Sequence, residues 1–119
     1  MTRPDPSSVI LINAFEVPVV HVDEFIEGWR ERARLLMVKP GFIDSRLYRA
    51  ISATSRFQLV NVAHWASRAA WEVATSDPAF KERINAAAAV PKMIRSAHPA
   101  LYEVAVELPS SGPEPPVQR

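Results

Sequence analysis

The stretch Phe57-Gln-Leu-Val-Asn-Val-Ala-His-Trp65 decides the fold, because it is a strand that is apolar on both of its faces. Side chains alternate along a β-strand, so residues two apart share a face. The odd-numbered residues from 57 to 65 therefore face one way, and Gln58, Val60, Val62 and His64 face the other. Apolar residues thus stand on both faces, and the stretch reads as a strand.

Three further strands are expected around it. Val9-Ile-Leu-Ile-Asn-Ala-Phe-Glu16 is a β-branched, apolar run that Pro18 ends. Phe42 to Ala50 reads as the strand before the central one, and residues 51–56 would close the hairpin between them. Leu101 to Leu108 is predicted to be the last strand.

Helices are predicted between the strands. Apolar residues at three- and four-residue spacing predict a helix from about Val22 to Met37, which Pro40-Gly41 ends. Ser67 is a natural N-cap for a short helix through Ala74. Asp77-Pro78 predicts a second helix start, with that helix running to about Ala89. The order β-α-β-β-α-β, with its second crossover broken in two, predicts an α+β, ferredoxin-like fold with a four-stranded antiparallel sheet and its helices on one face.

Composition predicts one domain with two flexible ends. The chain has 119 residues, a length typical of a single domain. Six of its 11 prolines lie in the ends, so residues 1–8 are expected to be a flexible N-terminal tail and residues 109–119 a disordered Pro-rich C-terminal tail. Residues 9–108 form the predicted folded unit.

Charge and cysteine content exclude several classes of function. The formal net charge of +1, without a Lys/Arg block, argues against a nucleic-acid or membrane partner. The absence of cysteine excludes disulfides, thiolate metal sites and cysteine nucleophiles. The chain begins without an apolar signal-like region, so a cytoplasmic location is the expectation.

One face of the predicted sheet has no cover within the chain. Ile10, Ile12, Val60 and Val62 lie on the face away from the helices. A bare apolar sheet face implies a partner, and a second copy of the chain is the simplest one. We therefore predict a homodimer that closes two sheets into an α+β barrel.

Polar and aromatic residues on the helix-covered face mark a candidate site. Asn13 interrupts an apolar strand, and Asn61 shares a strand face with Trp65. Two alternatives stay open: the amides could satisfy loop backbone groups, and Trp65 could be an ordinary core residue. The charged residues Arg30, Arg32 and Arg34 are expected to lie on a solvated helix face.

The segments 12–18 (INAFEVP), 40–42 (PGF) and 61–67 (NVAHWAS) together resemble the antibiotic biosynthesis monooxygenase family of dimeric α+β barrels. The resemblance spans residues 9–108. It implies either of two activities, because the family includes cofactor-free oxygenases that form quinones and also haem-degrading enzymes.

The haem-degrading members use an asparagine on the first strand, a tryptophan that ends the third, and an axial histidine on the next helical segment. Asn13 and Trp65 match the first two residues, but Ala74 and Thr75 stand where the histidine is expected. Iron ligation of the family type is therefore not predicted, and no metal site is expected.

The cofactor-free oxygenases pair an asparagine and a tryptophan on the third strand with an aromatic residue and an arginine on the helices that follow. Asn61 and Trp65 match, Trp71 takes the aromatic position, and Arg83 lies about one position from the arginine. We expect Asn61, Asn13 and Trp65 to act on the substrate. The predicted pocket residues are Phe15, Leu59, Trp71, Arg83 and Trp29.

The sequence thus favours a homodimeric, cofactor-independent monooxygenase that oxidises a small aromatic, polycyclic and polyketide-like substrate with O₂. One alternative is a haem-binding, haem-degrading monooxygenase, in which haem would be the cofactor. The other is a dimeric ligand-binding protein without enzymatic activity.

Overall fold

The computed structural model describes residues 7–88, 94–110 and 112. Most of the two predicted tails, 1–8 and 109–119, lies outside the described residues. So does the end of the helix that was expected to run to Ala89. Within the described ranges, no helix is long and apolar enough to cross a membrane.

The elements follow the predicted order. Four strands form one sheet, and a short 3₁₀ turn at Val19–His21 precedes the first helix. The strands are β1 (Val9–Glu16), β2 (Phe42–Arg49), β3 (Leu59–Trp65) and β4 (Ser96–Tyr102), and the helices are α1 (Val22–Leu36), α2 (Arg68–Thr75) and α3 (Pro78–Ala88). The sheet order is β2-β3-β1-β4, with every neighbouring pair antiparallel. The predicted ferredoxin-like α+β fold is confirmed, with β1 and β3 as the central neighbours.

Two predicted helix starts are capped as the sequence indicates. The Ser67 hydroxyl accepts a hydrogen bond from the backbone N–H of Ala70 at 3.0 Å. An Asp77 carboxylate oxygen accepts one from the backbone N–H of Ala79 at 2.9 Å. Each bond satisfies a donor that the first helical turn would otherwise leave unpaired.

Gly41 fixes the approach of β2 to α2. Its φ is +90°, a conformation that L side chains rarely adopt, and a Cβ there would lie 2.4 Å from the Cβ of Ala70. Its carbonyl accepts a hydrogen bond from the backbone N–H of Ala66 at 2.7 Å. Glycine is required here by both its conformation and its packing.

The position of the last strand differs from the sequence prediction, which was wrong. It runs over Ser96–Tyr102 instead of Leu101–Leu108, and Glu103 to Leu108 are exposed and outside any strand. Pro99 lies within this strand, opposite Asn13 and at the edge of the sheet. An edge strand tolerates proline because one row of its N–H groups has no partner strand.

The core on the helix face divides into two clusters. One is built on Phe15, Val17, Val22, Phe25 and Leu59. The other is built on Leu11, Ala63, Trp65 and Ala74. Along β1 and β3, Asn13 and Asn61 occupy the positions between them. The amides therefore interrupt the core where the two clusters separate.

The opposite sheet face carries the apolar patch that the sequence predicted. Ile10, Ile12, Val60 and Val62 are each half-buried on it. His64 also lies on this face, where its Nδ1 is 2.5 Å from an oxygen of Asp44.

Candidate active site

A cavity of about 660 Å³ opens between the sheet and the helices. This volume lies within the usual range of small-molecule sites, about 300–1,000 Å³. Most of the described side chains that line it are apolar, and the residues Leu11, Asn13, Phe15, Phe25, Trp29, Leu36, Phe42, Asn61, Ala63, Trp65, Trp71, Phe80, Ile84 and Ile94 make up most of its wall. The arrangement suits a flat, largely apolar ligand.

Asn13 and Asn61 are paired directly across the two central strands. Residues in this relation on one face have Cβ atoms about 4.5–5.5 Å apart, so the two amides are near enough to contact a single ligand atom. Both residues line the cavity. The register therefore places the two asparagines side by side in the cavity wall.

Ser45 orients the amide of Asn61. Its hydroxyl, on β2, donates to Oδ1 of Asn61 at 2.6 Å. The carbonyl end of the amide is thereby engaged, and Nδ2 is the end that can donate to a ligand. Asn61 is only 8% exposed, so a hydrogen bond from it would form in a site with little competing water. Ser45 was not among the site residues predicted from the sequence.

Three buried polar atoms at the cavity have no hydrogen-bond partner among the described residues. They are Oδ1 of Asn13, Nε1 of Trp65 and Nε1 of Trp71. Leaving such an atom unpaired costs about 1–3 kcal/mol, so native proteins rarely place several together. Their concentration in one place is typical of a site where ligand or water completes the hydrogen bonding.

Trp65, which was expected to act on the substrate, offers little surface for stacking on a ring. It is 1% exposed, and its ring meets that of Phe42 edge to face with centroids 5.3 Å apart. Little of its face is therefore free for stacking. Trp29 and Trp71 also line the cavity and are less completely buried, so they offer larger aromatic surfaces.

The other predicted pocket residues divide between the cavity and the core. Phe15 lines the cavity and also packs against Phe25, with ring centroids 4.8 Å apart. Arg83 lines it, but its side chain is 58% exposed and its Nη1 lies 3.5 Å from Oε2 of Glu31. Leu59 was predicted to line the pocket, and this prediction is corrected here. It is fully buried in the core and is not among the described residues that line the cavity.

Arg32 is the functional candidate that sequence analysis placed wrongly. It was expected on the solvated face of α1, yet it lines the cavity and its guanidinium carbon lies 5.2 Å from the centroid of Phe25. Burial lowers the pKa of Arg32 below its ordinary value. Gly28, one helical turn earlier, was the available signal: a Cβ there would lie 3.2 Å from Nη1 of Arg32.

None of the chain's three histidines lines the cavity. His21 lies at the start of α1 near Glu24, and His64 is bound to Asp44 on the opposite sheet face. His98 lies 3.0 Å from the hydroxyl of Ser96, with its ring against Phe57. Thr75 lines the cavity near the position where a histidine ligand would be expected. The residues present therefore do not fit haem held by an imidazole.

The sheet topology and the ligand-sized cavity define a small α+β protein of the ferredoxin-like class. The chain belongs to the antibiotic biosynthesis monooxygenase family, whose model matches residues 8–86. The resemblance inferred from the three sequence segments is thereby confirmed. A comparison with curated proteins gave no match.

Solved structures of similar fold include a candidate monooxygenase from Shewanella loihica PV-4. It is 29% identical, with a TM-score of 0.69 over 85% of this chain and 97% of that one. SnoaB, a cofactor-independent oxygenase from Streptomyces nogalater, is 24% identical, with a TM-score of 0.73 over 87% and 99% of the two chains. At that identity the likeness to SnoaB concerns the fold alone.

A third similar structure is that of the haem degrader MhuD from Mycobacterium tuberculosis, with two haems bound in its active site. It is 27% identical, with a TM-score of 0.62 over 85% of this chain and 99% of that one. The fold therefore occurs both in a cofactor-independent oxygenase and in a haem-degrading protein.

Proposed function

We propose that the protein is a cofactor-independent monooxygenase that oxidises an aromatic, polycyclic metabolite with O₂. The observation that carries this proposal is the pairing of Asn13 and Asn61 in the wall of an otherwise apolar cavity. The fold that the chain shares with SnoaB supports it.

The reaction requires a substrate that can reduce O₂ directly. An anthrone-type CH₂ loses a proton, and the carbanion, delocalised as an enolate, passes one electron to O₂. The two radicals combine to a peroxide, which takes up a proton and then loses water. The balance is R₂CH₂ + O₂ → R₂C=O + H₂O, so no external reductant is needed.

The asparagines would stabilise the negative charge that develops on the substrate oxygen. Nδ2 of Asn61, held in orientation by Ser45, would donate to that oxygen. The amide of Asn13 lies directly opposite and would donate a second hydrogen bond. Donors oriented before the reaction, in a site with little water, stabilise such charge far better than they would in bulk solvent.

The aromatic wall would hold the ring system in place. Trp29 and Trp71 lie along the cavity with more open surface than Trp65. Indole rings stack on flat polycycles and exclude water from the reacting carbon. The unpartnered Nε1 of Trp71 would donate to a polar substituent of the ligand.

The second candidate function is haem binding with degradation of the haem. The likeness to MhuD favours it, together with Asn13 and Trp65. The lining of the cavity opposes it, because all three histidines lie elsewhere. A ligand-binding role without catalysis is the third candidate, and only an activity measurement distinguishes it.

We further propose that the working form is a homodimer. The half-buried patch of Ile10, Ile12, Val60 and Val62 supplies an apolar surface on the sheet face away from the cavity. Burying such a patch against its copy would close the sheets into a barrel. Sedimentation of the protein, and of its Val62→Glu variant as a monomeric control, tests this part.

A haemin titration is the first experiment, with oxygen uptake as the second. We expect no stoichiometric, shifted Soret band, and we expect the chelator-treated protein to consume one O₂ for each anthrone oxidised. A saturable band that Asn13→Ala abolishes, followed by ring opening with ascorbate, would overturn the proposal in favour of haem degradation. Saturable ligand binding without oxygen uptake would leave the non-enzymatic role.

A further inference from the structure

Arg32 places a cation in the wall of an apolar cavity. It projects from α1 and lines the same cavity as the asparagine pair, and its guanidinium contacts the ring of Phe25. The absence of a side chain at Gly28 leaves room beside it, because a Cβ there would be only 3.2 Å from Nη1. The local sequence therefore accommodates the arginine at the cost of a glycine inside a helix.

The charge of Arg32 has no ion-pair partner among the described residues, whereas the charges of Arg30 and Arg83 each have one. Arg30 is paired with Glu27, and Arg83 with Glu31. No described side chain forms an ion pair or hydrogen bond with Arg32, and burial lowers its pKa through desolvation. An arginine remains charged at neutral pH even so.

Two carboxylates also line the cavity, but solvent screens both. The side chains of Glu24 and Glu31 are each 64% exposed, and Glu31 already faces Arg83. Exposed carboxylates compensate a half-buried cation weakly. A ligand oxygen that carries negative charge would compensate it far better, since the pair would form where little water competes.

We propose that Arg32 binds the ionised oxygen of the substrate, so that the cavity selects aromatic compounds with an acidic phenolic or enolic hydroxyl. This inference rests on the proposed function and names its substrate class. On binding, the O–H bond breaks heterolytically, the electron pair stays on oxygen, and the proton leaves to solvent. An anthrone reaches this state through its enol tautomer, whose ionisation needs no protein base. The described carboxylates of the cavity, Glu24 and Glu31, are both exposed.

The test uses 4-nitro-1-naphthol, whose ionised form is coloured, as the probe. Its absorbance is titrated against pH when free and when bound to the wild-type protein, Arg32→Gln or Arg34→Gln. Arg34 is exposed on the same helix and does not line the cavity, so its variant controls for net charge. Circular dichroism checks that each variant is folded, and Arg32→Lys tests whether charge alone suffices.

We expect the wild-type protein and Arg34→Gln to lower the pKa of the bound naphthol by about one unit or more, as a nearby opposite charge does. Arg32→Gln should abolish this shift, and Arg32→Lys should restore part of it. If Arg32→Gln binds the naphtholate as tightly as the wild type, the inference is wrong even where oxygen uptake is normal. If Arg32 governs the ionisation but no aromatic substrate consumes O₂, the binding assignment stands and the proposed function fails.

Discussion

Asn13 on β1 and Asn61 on β3 lie directly opposite each other, between the two halves of the hydrophobic core. The two residues on either side of the pair along β1 are Leu11 and Phe15, both buried. Because this row carries two amides instead of large apolar side chains, the core is interrupted here and the cavity lies over the sheet. The same two residues that interrupt the packing thus supply the polar end of the cavity.

The Asn13→Leu variant should have a higher free energy of unfolding than the wild type. Oδ1 of Asn13 has no hydrogen-bond partner among the described residues, so an apolar side chain of similar size removes an unpaired group. We expect a gain of about 1 kcal/mol, measured by urea unfolding, together with loss of activity.

Asn61→Leu is the matched control for that variant. Its Oδ1 accepts a hydrogen bond from Ser45, so the substitution leaves the Ser45 hydroxyl unpaired and should stabilise less. A wild-type level of activity in Asn13→Leu would contradict the role given to the amide.

Gly28→Ala should stabilise the fold and weaken ligand binding. Alanine in a helix interior is about 0.5–1 kcal/mol more favourable than glycine. The new Cβ would approach Nη1 of Arg32, whose flexible end moves aside. Thermal unfolding measures the first effect, and titration with 4-nitro-1-naphthol measures the second. Equal affinity in the variant and the wild type would show that the position of Arg32 does not matter.

Gly41→Ala should destabilise the protein strongly. The new Cβ would overlap that of Ala70, and the backbone would keep a positive φ. The backbone strain costs about 1–3 kcal/mol and the overpacking adds to it, so we expect a loss of at least about 2 kcal/mol by urea unfolding. Gly112→Ala, where a Cβ meets no atom within 4 Å, is the control and should change little.

Asp77 should make stability depend on pH in the acid range. A hydrogen bond from Lys39, and then the backbone N–H of Ala79, lower the pKa of Asp77. A lowered folded-state pKa stabilises the protein above the ordinary aspartate pKa of about 3.9, and that contribution disappears as pH falls through the folded-state value.

The comparison with Asp77→Asn isolates this charge, because asparagine is also a good N-cap. The wild type should be the more stable protein at neutral pH, and the two unfolding free energies should converge in acid. A constant difference across the acid range would mean that the ion pair with Lys39 contributes nothing.

Thr75→His should create haem binding where the wild type has none. Thr75 lines the cavity, whereas the three native histidines do not. An imidazole there would supply the ligand that iron requires. A haemin titration should give a saturable Soret band for the variant alone. A band of equal strength in the wild type would show that another residue ligates the iron.

The fold could be predicted from the sequence because the patterns that indicate its strands and helices are local. Alternation in Leu59–Trp65, the Ser67 cap and the Asp77-Pro78 start each indicate an element without help from distant residues. The end of the chain was the exception. Pro99 argues against a strand locally, and only its place at the sheet edge makes it acceptable.

The candidate site was predicted in part. The alternation of side chains along β3 placed Asn61 and Trp65 on one face, and the predicted strand order placed Asn13 beside them. The charge of Arg32 could not be placed, because its arginine neighbours on α1 are solvated and periodicity does not say where the apolar stripe ends. The contact between Ser45 and Asn61 depends on the register of β2, which the sequence leaves open.

The proposed cofactor-independent oxygenation is tested by measuring oxygen uptake on an anthrone by the chelator-treated wild type, Asn13→Ala and Asn61→Ala. We expect catalysed uptake with one O₂ per anthrone, and a fall in kcat of about 100-fold for Asn61→Ala, the usual effect of losing one oxyanion donor. Asn13→Ala should fall similarly, with both variants folded by circular dichroism. Wild-type rates in both variants, or uptake by the wild type no faster than in buffer, would contradict the proposed function.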